Sequence, residues 1–276
     1  MLLERLLRFT GIPVERHARA LARRFLDDTA RAPEVQTRRL LDLVARNADS
    51  QFGRDHHFGE VRTAADFRRR VPIRGYDGHE SYIERVRQGE TRALFGPGTD
   101  VLMFALTSGT TARPKTIPVT REALQNYRDG WTIWGIQAFD AHPAILNPIL
   151  RPILQLVSNW RETTAPCGTP CGAITGLTAA MQSRFVRFVY CMPPCTMRIK
   201  DIEAKYYTAL RLSVFRHMGA VMAANPSTLL AIARLSADGL ALHVAPTLVR
   251  KGTPIADISG AYNAIRVVGD AVGQVF

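Results

Sequence analysis

The chain has 276 residues, 46% hydrophobic and 22% charged, a composition that excludes a disordered tail, a collagen or a disulfide-dense miniprotein. At roughly 100–200 residues per domain it makes one large domain or two small ones, long enough to bury a core without covalent staples. Thirty-six Lys and Arg against 24 Asp and Glu leave a net charge of +12 at pH 7, which favours anionic partners at long range and says nothing about fold.

The basic excess is almost all arginine, the lysines being Lys115, Lys200, Lys205 and Lys251. Arginines mostly alternate with acids, as at Glu15-Arg16 and where Asp66 precedes Arg68, Arg69 and Arg70. That pattern reads as solvated helix faces. No aromatic and basic residues interleave as a stacking groove requires, and no nucleic-acid motif is recognised, so neither nucleic acid nor membrane is expected as a partner. The most apolar stretch, 144–157, is broken by Pro148, Arg151 and Pro152 and is too short to span a bilayer. Glu4 and Arg5 put charge where a signal peptide needs an unbroken apolar run. The expected location is cytoplasmic.

Cys167, Cys171, Cys191 and Cys195 form two C-x3-C pairs separated by nineteen residues. Four thiolates could hold zinc tetrahedrally, but zinc ribbons favour two-residue knuckles, and the intervening 179–190 reads as a helix. Unligated cysteines are the preferred reading and zinc the alternative; a disulfide framework does not suit a chain of this size and compartment.

The first hundred residues read as helical. Val14, Ala18, Leu21, Ala22 and Phe25 recur at helical spacing with arginines opposite. A second helix is predicted over 34–48, with Leu40, Leu41, Leu43 and Val44 inward. Thr63-Ala64-Ala65-Asp66 has the form of a capping box, with Asp in place of Glu, opening a short helix that Pro72 closes. Another helix covers 78–88 and ends at Gly89. The period then changes: Gly96-Pro97-Gly98 is a breaker, and Val101–Leu106 is an apolar run predicted to be a buried strand.

Thr116 to Val119 reads as a returning strand, and Thr120 as the N-cap of a long helix to about Phe139. Five prolines in 141–172 suggest loop with short helical pieces. Leu177, Met181, Phe185 and Phe188 define a further helix, and 201–222 a long amphipathic one with Ile202, Tyr206, Leu210 and Met218 on one face. Asn225-Pro226 reads as N-cap and first residue of a helix to about Leu235, because proline there lacks only a donor that would be unpaired. Asp238-Gly239 ends it. After residue 240 only a strand at 264–268 is assigned.

The chemistry concentrates at Thr107-Ser108-Gly109-Thr110-Thr111-Ala112-Arg113-Pro114-Lys115. This loop leaves a buried strand directly, where ligands of open α/β sheets bind. Its hydroxyls surround a glycine, which lets the backbone approach phosphate oxygens closely, and Lys115 adds a compact positive charge. A nucleoside-triphosphatase loop needs glycine immediately before the lysine; proline there removes an amide and fixes φ, so that reading is rejected.

The T-S-G-T-T-x-x-P-K string resembles the loop of adenylate-forming enzymes. Further strings are similar to one branch, the Gretchen Hagen family of auxin-responsive acyl-acid amido synthetases. They are Gln51-Phe52-Gly53-Arg54-Asp55-His56-His57-Phe58, Asp66-Phe67-Arg68-Arg69-Arg70-Val71-Pro72, Gly89-Glu90, Ile117-Pro118-Val119-Thr120 and Asn225-Pro226-Ser227-Thr228-Leu229-Leu230, with 171–174 fitting more loosely. The resemblance covers about residues 40–235. It implies a ligase using ATP and Mg2+ that turns a small carboxylic acid into an acyl-adenylate and joins it to an amine or amino acid.

On that resemblance Thr107, Ser108, Gly109, Thr110 and Thr111 match the phosphate-binding positions, and Lys115 is the catalytic basic residue at the loop's end. The helix after the loop lines the acyl site in the family, which makes Arg128, Trp131 and Trp134, spaced by three on one face, substrate-binding candidates; plain core is the alternative for the two tryptophans. The implied fold is α/β, the N-terminal part of an adenylate-forming large domain preceded by helices. The regions read are helical 1–95, α/β 96–239 and an unassigned tail 240–276. Family members run to about twice this length, so a truncated or frameshifted gene product with impaired activity is expected. A non-catalytic nucleotide- or partner-binding remnant and a thioester-forming acyl ligase are the alternatives.

Overall fold

A computed structural model of the chain describes residues 2–107, 115–146, 151–182, 184–214 and 216–235, with side chains from residue 13 onward except at 144, 146, 184 and 185. The predicted helix end at Asp238-Gly239, the strand at 264–268 and the tail 240–276 lie outside the described residues. Five helices come first: α1 (Leu2–Thr29), α2 (Ala32–Arg46), α3 (Gln51–Asp55), α4 (Ala64–Arg70) and α5 (Asp77–Arg87). Strands β1 (Val101–Leu106) and β2 (Thr116–Thr120) lead into α6 (Arg121–Ala141). Then follow β3 (Ile153–Leu156), β4 (Thr163–Thr164), β5 (Pro170–Gly172), α7 (Ile174–Ala180), α8 (Arg184–Arg187), α9 (Ile202–Ser213), β6 (Ala220–Ala223) and α10 (Pro226–Leu235). The described residues form two compact units, one of residues up to Ala141 together with Asn159–Thr178, the other of His142–Ser158 together with residues 179–235.

The first unit is built on a sheet of order β2-β1-β5-β4, in which β1 runs antiparallel to β2 and parallel to β5. Met103 and Phe104 are both fully buried, and successive strand residues face opposite sides of a sheet. Phe104 packs with Val86, Ala93, Ala165 and Cys171, and Met103 with Val119, Leu124 and Leu177. Cover on both faces is why β1 reads as an unbroken apolar run rather than an alternating one. The buried-strand and returning-strand readings both hold here, since β1 and β2 lie where the pattern put them.

Local signals in the leading helices are realised residue by residue. Thr63 and Asp66 form the complete capping box of α4, and α5 ends at Arg87 with Gly89 at φ +101°, the left-handed conformation that glycine adopts without strain. Two predicted faces need correction. On α1 the burial centres on Ala18 and Ala22, which pack against Ile136 of α6, while Val14 and Phe25 are exposed. On α2 Val44 is buried against Phe58 and Val61, and Leu43, one position out of phase, is exposed.

The second unit pairs β3 with β6 in parallel. Leu154 and Leu156 of β3 pack with Cys191, Ala209 and Leu210 of α9, and Ile232 of α10. Three expectations fail here and nearby. The segment 141–172 holds three strands rather than only loop and helical pieces. The helix expected over 179–190 is two short ones, α7 ending at Ala180 and α8 spanning Arg184–Arg187, with Phe188 77% exposed. The long helix expected over 201–222 stops at Ser213, and its final residues are strand β6. Asp201 caps α9 by accepting from the Ala204 N–H at 2.7 Å, and Asn225 accepts from Ser227 N–H at 3.0 Å at the start of α10. No helix among the described residues is long and apolar enough to cross a membrane.

Candidate functional site

The ends of the hydroxyl-rich loop are held as a cross-strand pair. Leu106 stands opposite Thr116, and the Thr107 N–H donates to the Lys115 carbonyl at 3.1 Å. The antiparallel ladder therefore continues to the foot of the loop, with Thr107 half-buried and Lys115 exposed. Ser108, Gly109, Thr110 and Thr111, the remaining predicted phosphate contacts, lie outside the described residues. Both ends of the loop are thus held by the β1–β2 ladder, whose β1 strand is buried on both faces.

Hydrogen-bonded and non-bonded pairs alternate along an antiparallel ladder. Since Thr107 and Lys115 exchange a bond, Leu106 and Thr116 form a non-bonded pair, and the amide and carbonyl of Thr116 point away from β1. The same parity places Pro118, opposite Phe104, where its missing N–H costs the ladder nothing, as edge strands allow. On the outer side the Tyr76 hydroxyl accepts from the Thr116 N–H at 3.2 Å and lies 3.2 Å from both the Thr116 carbonyl and its Oγ1. The Lys115 Nζ sits 5.5 Å from the centroid of the same ring. Sequence reasoning missed Tyr76, because nothing in the linear chain ties the residue before α5 to the start of β2.

Because β5 runs parallel to β1, with Ala105 beside Gly172, the chain leaves β5 at the same sheet edge at which β1 enters the loop. That edge is where open α/β sheets bind ligands. A Cβ at Gly172 would lie 2.5 Å from the Asn159 carbonyl oxygen and 2.7 Å from that of Trp160, so only glycine admits this backbone. The Ala173 N–H then donates to the Asn159 carbonyl at 2.8 Å.

The four cysteines are free, Cys171 and Cys191 buried and Cys167 and Cys195 exposed. Burial pushes the thiols of Cys171 and Cys191 up, which disfavours the thiolate a metal requires. Among the described residues no three His, Cys, Asp or Glu side chains gather as a metal site.

Helix α6 starts where predicted, Thr120 Oγ1 accepting from the Ala123 N–H at 3.1 Å. It is tied to the helical region at both ends. Arg46 donates to both oxygens of Glu122, with one bond of 2.9 Å. Arg19 grips Asp140 through bonds of 2.8 and 2.7 Å. Its inner face carries Leu124 and Ile136. Arg128, Trp131 and Trp134 stand on exposed positions, the tryptophans 41% and 55% exposed with their rings T-shaped at 5.4 Å. Tyr127 extends the aromatic row, 6.3 Å from Trp131. Among the described residues the inward positions of α6 are filled by the aliphatic Leu124 and Ile136 rather than by the two tryptophans.

The model of the GH3 family N-terminal domain matches residues 21–240. Among curated relatives, the probable indole-3-acetic acid-amido synthetase GH3.13 of Oryza sativa subsp. japonica is 35% identical over 106 residues, covering 35% of this chain and 22% of its own length. The probable indole-3-acetic acid-amido synthetase GH3.1 of Arabidopsis thaliana is 25% identical over 239 residues, 76% of this chain and 37% of its own. A solved structure described as AtGH3.15 acyl acid amido synthetase in complex with 2,4-DB matches with a TM-score of 0.70 and 19% identity, over 91% of this chain and 43% of that one. The fold is therefore the α/β one expected, that of the N-terminal part of such a protein. This chain spans less than half the length of these relatives.

Proposed function

The chain belongs to the GH3 family, and from that premise we propose that it forms the nucleotide-binding, acid-activating part of an acyl-acid amido synthetase. In the reaction a carboxylate oxygen attacks the α-phosphorus of ATP and pyrophosphate leaves. The nitrogen of an amine or amino acid then attacks the acyl carbon, forming the amide and releasing AMP.

One observation carries this reading: the loop's two ends are locked to each other as Thr107 and Lys115 at the end of a strand buried on both faces. In this reading Thr107, Ser108, Gly109, Thr110 and Thr111 donate to the outer phosphates, and the Lys115 ammonium neutralises charge that grows on the departing pyrophosphate. Arg128 holds the acid's carboxylate as a charge-assisted pair. Trp131 and Trp134 offer ring faces and edges to an aromatic acid. Mg2+ typically keeps several waters and binds through one or two carboxylates plus substrate phosphates, so it would arrive with the nucleotide.

Acid-dependent exchange of labelled pyrophosphate into ATP tests the reading, with indole-3-acetate, phenyl-substituted and aliphatic acids as the panel. Weak exchange with at least one acid is the expected result. ATP binding without exchange would reduce the function to holding nucleotide, and absence of ATP binding would overturn the reading.

A further inference from the structure

We propose that Tyr76 is a positioning residue for Lys115, holding its ammonium at the foot of the loop where an outer phosphate is bound; the proposal rests on the nucleotide reading above. Two attachments converge from one side chain. The phenol binds the outward-facing N–H of Thr116 and can return its own proton to the Thr116 carbonyl or hydroxyl, a match to its one donor and its acceptor lone pairs. The ring face receives the Lys115 ammonium at 5.5 Å, within the range of a cation–π contact.

Lys115 is thus fixed from three directions. Thr107 holds its carbonyl, Tyr76 holds the backbone of the next residue, and the Tyr76 ring shelters its side chain. Tyr76 is itself anchored, because its carbonyl accepts from the His79 N–H at 2.9 Å at the head of α5, and α5 is rooted in the core by Ile83 and Val86. A sheet edge at a half-buried threonine can satisfy its backbone with water, so the edge alone does not call for a tyrosine. A lysine on a flexible stem, with no carboxylate pairing it among the described residues, gains from one: a restricted ammonium loses less rotamer entropy when phosphate arrives.

The chain has four lysines, so labelling lysine ε-carbons with 13C gives a spectrum in which K115A identifies the Lys115 signal. The ring current of Tyr76 should displace that signal upfield, Y76L should abolish the displacement, and Y76F should keep most of it. With ATP as the probe, Y76L should weaken binding about threefold to tenfold while changing AMP affinity less than about twofold. That loss should vanish in the K115A background. Y76F, the milder variant should Y76L fail to fold, should lose only the part owed to the phenol. Absence of the upfield displacement overturns the proposal whatever nucleotides do. An equal ATP loss from Y76L with and without Lys115 also overturns it, since Tyr76 would then be a strut for the sheet edge. If the displacement is intact but neither ATP nor AMP moves the signal, the nucleotide reading has failed and the positioning role falls with it, leaving the contact alone established.

Discussion

Arg46 and Glu122 meet in a two-pronged ion pair that ties the last turn of α2 to the first turn of α6. Arg39 adds a weaker approach at 3.7 Å. Hydrogen bonding from Arg46, then its charge and that of Arg39, hold the Glu122 carboxyl below its ordinary 4.5. A carboxyl lowered on folding adds stability above its unfolded value, and that stability fades as pH falls through the folded one. Both partners are over a third exposed, so Glu122→Gln should cost no more than about 1 kcal/mol at pH 7. Thermal unfolding from pH 7 to pH 3 should show wild type and variant converging below pH 4.5. A gap that does not narrow at all on going from pH 7 to pH 3 would mean the stabilisation is not ionic.

Thr63→Ala removes the hydroxyl that accepts from the Asp66 N–H at 3.1 Å. The α4 cap should lose about 1 kcal/mol, read as a lowered urea midpoint with unchanged slope. Asp66 is held below 3.8 first by the Thr63 hydroxyl and then by the Arg62 amide, so its carboxylate should titrate closer to that ordinary value in the variant. An unmoved Asp66 titration would refute the reciprocal box.

Gly172→Ala forces a methyl group into the Asn159 and Trp160 backbone, which cannot move aside like a flexible side chain. The expected loss is about 1–3 kcal/mol, together with faster hydrogen exchange at the Ala173 amide that bonds Asn159. A neutral substitution would place the 159–160 segment elsewhere.

Trp131→Ala and Trp134→Ala remove exposed rings and should change stability by less than about 0.5 kcal/mol each. Under the proposed function they should weaken aromatic acids about tenfold while leaving short aliphatic acids unchanged. Titrating wild-type fluorescence with acid provides the check: aromatic acids should quench it, and the quench should disappear in the double variant. Equal losses for both acid classes would remove these rings from the acyl site.

Under the proposed function, Lys115→Ala should weaken ATP by about tenfold or more, since it would delete a hydrogen bond to a charged group, and AMP far less. Calorimetry with the two nucleotides separates them. Equal weakening would place Lys115 away from the outer phosphates.

What the sequence by itself determined are the features settled within about four residues. The Thr63–Asp66 box, the Thr120 and Asn225 caps and the left-handed Gly89 each depend on a neighbour near in the chain. The hydroxyls and Lys115 could be proposed as a phosphate loop for the same reason, since the residues that would grip the anion are consecutive.

Tertiary structure alone decided what depends on distant partners. A four-residue apolar run such as Ile153–Leu156 becomes a strand only when Ala220–Ala223 arrives alongside in parallel, and no local period announces that pairing. Helical periodicity located a face on α1 and α2 but not how far the neighbour reaches, which left Val14, Phe25 and Leu43 in solvent. It likewise could not say which residues of α6 are covered: Leu124 and Ile136 are buried, while Trp131 and Trp134 are exposed. Tyr76 is the sharpest case. Forty residues separate it from Thr116, and only the docking of α5 beside the free edge of β2 gives its hydroxyl and its ring anything to hold.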